Sequence, residues 1–159
     1  MKLNRRHVIA GSLGVVLIGA ITPVALASPG ADIKVENIVK ANLADAVHLN
    51  ADQIKFRTKV PTDILVQKVT FSPHGRTGWH HHPGMVLVSV SSGAVTVWDS
   101  DCESTTYGPG LAAGAAFTES GDDPLEVTSA AGATVYATFV VPHVSPPVFR
   151  VEADARSCG

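Results

Sequence analysis

The sequence predicts an all-β domain, an antiparallel sandwich or barrel, and three observations predict it. The chain is 45% hydrophobic but only 16% charged, which is too few charges for a helical bundle or coiled coil. Its apolar residues fall in short, β-branched runs, and those runs are separated by clusters of Gly, Pro, Ser and Asp. A chain of 159 residues fits one domain, and its apolar content excludes intrinsic disorder. The formal net charge of -2 carries no basic excess, so nucleic acid is not an expected partner.

The first segment is read as an export signal and set aside before the fold. Lys2, Arg5 and Arg6 form a positive region, an apolar stretch runs from Val8 to Ile21, and Ala25-Leu26-Ala27 offers small residues for a signal peptidase. The apolar run is shorter than the ~20 residues of a spanning helix. The expectation is a signal peptide over 1–27, cleaved after Ala27, exported by the Sec or twin-arginine route. The product is a secreted or extracytoplasmic chain with no membrane contact, more acidic than the precursor because three cations leave with the signal.

Residues 28–59 are the ambiguous part. Val35, Ile38, Val39, Leu43 and Val47 fall near helical spacing, yet Val-rich pieces read equally as strand, and the segment is assigned as an arm with edge strand and loop. From residue 60 the pattern is β. Residues 64–71 (ILVQKVTF) end at Ser72-Pro73-His74-Gly75, and 85–90 (MVLVSV) and 94–98 (AVTVW) form a hairpin around Gly93. Turn clusters at Tyr107-Gly108-Pro109-Gly110 and Ser120–Pro124 precede strands at 125–128 and 133–141. The body therefore spans 60–142, and Pro142, Pro146 and Pro147 mark 143–159 as an extended tail laid over it.

Cys102 and Cys158 are the two cysteines. In an oxidising compartment such a pair predicts one disulfide between the loop after Trp98 and the C-terminus.

The chemistry gathers in Gly78-Trp79-His80-His81-His82-Pro83-Gly84. Histidines at i and i+2 of a strand share a face, so His80 and His82 can converge on one ion while His81 points away. Imidazole suits Zn, Fe, Mn, Ni or Cu. The plain alternative is a polar turn rich in histidine. Trp79 reads as packing and His74 as a turn residue. No activated-serine elbow, phosphate loop or paired-Cys zinc motif occurs.

The run GWHHHPGMVLVSVSSGAVTV resembles the first motif of the cupin superfamily, with Gly75, His80, His82 and Gly93 at the family's spacing. YGPGLAAGAAF resembles the start of the second motif through Gly114 and Phe117, and FSPHGRTGWHHHPG is similar to small exported actinobacterial cupins. The resemblance implies a double-stranded β-helix, or jelly roll, with a pocket inside the barrel. It also exposes two departures. The family's metal-binding glutamate falls where this chain has Val86 or Leu87, and its second-motif histidine falls near Pro124-Leu125-Glu126. A full three-His-one-Glu site is excluded. The surviving expectation is a triad of His80, His82 and Glu126, although alternation with Leu125 and Val127 equally puts Glu126 on the solvent face.

The expected function is a divalent metal (Fe, Mn, Zn or Ni) held by these residues, with a small ligand in the pocket of a monomer or homodimer. If the protein is catalytic, the resemblance implies a metal-dependent oxygenase or isomerase. The alternatives are a metal-free module binding a carbohydrate or other metabolite, and a structural protein with a degenerate site.

Overall fold

A computed structural model describes residues 29–158, so the expected signal peptide lies outside the described residues. Among those residues every regular element is a strand. The organising element is β4 (Thr62–Arg76), long enough to pair with three other strands. Along one edge it pairs antiparallel with β1 (Ala31–Leu43), from Ala31 opposite Arg76 to Leu43 opposite Thr62. Along the other edge its first ten residues pair with β11 (Ala133–Pro142). Its last two pair with β10 (Glu126–Ser129).

From β11 the sheet continues through β6 (Met85–Gly93) to β9 (Ala116–Ser120); from β10 it continues through β7 (Val95–Trp98) to β8 (Ser104–Tyr107). The product is an all-β, nearly closed jelly-roll barrel. β2 (His48–Ala51) and β3 (Ile54–Arg57) make a separate hairpin. The short β5 (His80–His81) pairs with β12 (Val151–Glu152).

Strand alternation builds the core. In β11 the odd-numbered positions from Ala133 to Val141 are all buried, and Val86, Val88 and Val90 do the same in β6. With Phe71, Phe117 and Phe139 they form the apolar interior. Gly93 closes the β6–β7 hairpin at φ 73°, and a Cβ there would lie 2.2 Å from the carbonyl of Gly132. Both facts require glycine.

The helix-like spacing in residues 35–47 has a local cause. The β1–β4 register shifts between Asn37 and Val39, so Ile38 is an extra residue on β1. A bulge inserts one position into a period-2 pattern, and two half-periods joined this way imitate a period between three and four. The disulfide is formed: Cys102 and Cys158 are bonded with Cα atoms 5.2 Å apart.

Candidate metal centre

β5 is held on both edges. His80 exchanges backbone hydrogen bonds with Leu125 at 2.9 and 2.8 Å, and on the opposite side it pairs with Glu152 of β12. Gly78, at φ 72°, turns the chain just before β5 and presents its carbonyl to the His80 ring. With the backbone fixed, alternation sends His80 and His82 inward, where both are buried at 4% and 3% exposure. His81 points the other way, with its ring 3.8 Å from the exposed Asp122.

The two inward rings are oriented alike. His80 Nδ1 lies 2.8 Å from the Gly78 carbonyl, and His82 Nδ1 lies 2.6 Å from the Phe149 carbonyl. A carbonyl oxygen can only accept, so each Nδ1 carries a proton and donates it. In the neutral ring this leaves Nε2 with a lone pair. The same second hydrogen bond fixes the tautomer of metal-ligating histidines in general. The His82 ring stands edge-on to His80 and Phe139, with centroids 4.8 and 5.3 Å away. Burial, with the nearby Arg150 and His82 adding to it, lowers the His80 pKa from 6.5 to about 3. Its ring is therefore neutral, the form a metal ligand requires.

The third group is Glu119 of β9. Its Oε2 is 3.0 Å from His82 Nε2, with both side chains buried. That short contact is not aligned as a hydrogen bond, and among the described residues His82 Nε2 has no hydrogen-bond partner. A buried lone pair facing a buried carboxylate oxygen is unfavourable unless a cation or proton lies between them. The donor atoms of His80, His82 and Glu119 all lie within 4.8 Å of one another. Two imidazoles and a carboxylate are a donor set that suits a divalent ion, and His80, His82 and Glu119 would hold it.

Glu126 does not join this cluster, which corrects the sequence reading of the third ligand. The reason is strand parity. Val127 is buried and lines the interior chamber, so Glu126, its neighbour on β10, faces the other way, beside Trp98 of β7. Burial raises its pKa, and Arg76 opposes the rise. The residue that does supply the carboxylate stands opposite Val86 in the β6–β9 register. Directly opposed residues share a face, so the acid occupies the same face as Val86, one strand across. The signal for it was present in AFTES: Glu119 is two residues from Phe117, and both are buried.

The cluster opens onto a chamber of about 280 Å³. Its walls are mainly apolar, including Phe71, Val88, Phe117, Phe139 and Phe149, and Arg150 and Glu152 also line it. These last two form a two-pronged ion pair at 2.6 and 2.9 Å, which holds Glu152 below the usual carboxylate range.

Among solved structures the chain is similar to a conserved protein of unknown function from Streptococcus pyogenes, at 13% identity over 70% of this chain and 76% of that one, with TM-score 0.49. It is also similar to a salicylate 1,2-dioxygenase from Pseudaminobacter salicylatoxidans, at 16% identity over 47% of this chain and 20% of the dioxygenase, with TM-score 0.41. A third, a protein of unknown function from Rhizobium leguminosarum, shows 20% identity over 50% of this chain and 71% of its own, also with TM-score 0.41. No family model and no curated protein sequence matches the chain.

Proposed function

We propose that this chain is an exported metal-binding jelly-roll protein of the small cupin type, in which His80, His82 and Glu119 hold one divalent ion beside a chamber that admits a small ligand. The observation that carries the reading is the buried, unpartnered Nε2 of His82 facing the Glu119 carboxylate at 3.0 Å. Neither the orientation of the two rings nor the burial of the acid has a purpose in a merely polar turn. Export is supported by the N-terminal charge and apolar pattern together with the disulfide.

When bound, the ion would supply Lewis-acid chemistry, or redox chemistry if it is iron or manganese. The chain's own residues do the rest. Phe149 and Gly78 carbonyls hold the imidazoles in the ligating tautomer, and the phenylalanine walls make the surroundings of the centre apolar. At about 30 Å³ per water-sized group, the chamber accepts a molecule on the order of ten non-hydrogen atoms. It suits a largely apolar body with an oxygen-bearing end.

Titration of chelator-stripped protein with cobalt(II) tests this. One equivalent should bind and give the visible spectrum of an ion with mixed nitrogen and oxygen donors, and His82→Ala should abolish it. A flat titration in the wild-type protein contradicts the proposal and leaves a metal-free pocket as the better reading.

A further inference from the structure

One ligand's support comes from an unexpected place. The carbonyl that fixes His82 belongs to Phe149, in the C-terminal segment 67 positions downstream. That segment runs beside β5 as a strap and lines the chamber through Phe149, Arg150 and Glu152. Arg150 donates to the Thr77 carbonyl at 2.8 Å, β12 pairs with β5, and Ala153 N–H donates to the Trp79 carbonyl at 3.0 Å. Arg156 stands over the Trp79 ring at 5.9 Å and donates to the Ser100 carbonyl at 2.8 Å. The strap then ends at Cys158, bonded to Cys102.

No residue of the strap from Val148 to Cys158 is fully buried. It has no core of its own, only a row of hydrogen bonds and partly covered side chains. Ordering that many residues costs conformational entropy that a few such contacts offset poorly. The covalent tether shifts the balance, because it keeps the segment near its docking site when individual contacts break. Cys102 is exposed and open to attack.

We infer that the Cys102–Cys158 bond is a thiol-sensitive latch on the metal centre, pinning the strap whose Phe149 carbonyl positions His82 and whose Arg150 and Glu152 wall the chamber. Its consequence for metal retention rests on the function proposed above. The step is ordinary thiol–disulfide exchange with a dithiol reductant. One thiolate of the reductant attacks a sulfur of the bond and expels the other cysteine as thiolate. The reductant's second thiol then displaces the mixed disulfide. Two electrons pass to the protein, which ends with two thiols once its thiolates are protonated, and the reductant leaves as a disulfide. Phe149 is thus a positioning residue that acts through His82.

The test compares the oxidised full chain with Cys102→Ser/Cys158→Ser, which removes the bond without adding thiols that would themselves take metal. Cobalt(II) affinity should fall at least tenfold in the double variant, with the barrel's thermal transition still cooperative. Equal affinity overturns the inference. A second measurement needs no metal. Nitrogen-15 NMR of the stripped protein should show His82 protonated at Nδ1 in the oxidised chain, and a tautomer mixture in the double variant and in wild type reduced with a phosphine. An unchanged tautomer after reduction overturns the latch. If the oxidised protein binds no cobalt, the function proposed above fails while the NMR comparison still decides the latch.

Discussion

Nε2 of His82 lies 3.0 Å from Oε2 of Glu119, and Nδ1 of the same ring is engaged on the far side, at the carbonyl of Phe149. In the neutral form of the ring, the form a metal ligand requires, this contact is one of two acceptors held together by the fold. This makes opposite predictions for metal binding and for the stability of the stripped protein. Glu119→Gln should weaken metal affinity by 10–100-fold or more, on the order of what even outer partners of metal ligands contribute. The introduced amide can donate to the His82 lone pair, so the stripped variant should be more stable by about 1 kcal/mol, a few degrees in melting temperature. Calorimetry with and without metal checks both signs.

The histidines should separate into two classes. His80→Ala and His82→Ala should each abolish tight metal uptake, because each removes a buried donor. His81→Ala should change it by less than about threefold, since that ring faces Asp122 and points away from the cluster. Equilibrium dialysis against a competing chelator reads all three. Equal losses would indicate a loose histidine cluster with no defined centre.

Acid should destabilise the stripped protein early. The His80 pKa lies below its unfolded value of 6.5, at about 3, chiefly through burial. Between those values the unfolded chain carries a proton on this residue that the native chain lacks. Stability from this group is complete above 6.5 and falls as pH drops, at about 1.4 kcal/mol per pH unit within the window. Urea unfolding at several pH values should show this slope, and His80→Gln should flatten it.

Much of this was legible in the residues. The β-branched runs and turn clusters locate β4, β6, β7, β10 and β11, and the i, i+2 rule turns His80 and His82 to one side. The carboxylate of the cluster is not legible, because motif spacing points to residues 86–87 and 124–126. The carboxylate instead comes from β9, across the sheet from Val86. Register between strands is a tertiary fact, and one strand's sequence carries only its own parity. Glu126 failed on that parity once Val127 was seen to face inward. The Phe149 carbonyl is a backbone atom 67 positions from its histidine, and a backbone acceptor has no residue-type signature at all.

The most direct measurement is the metal content of protein purified without chelator, for wild type and for two glutamate variants. The account predicts about one divalent ion per chain in wild type and in Glu126→Ala, and almost none in Glu119→Ala. Metal retained in Glu119→Ala, or lost in Glu126→Ala, would contradict it.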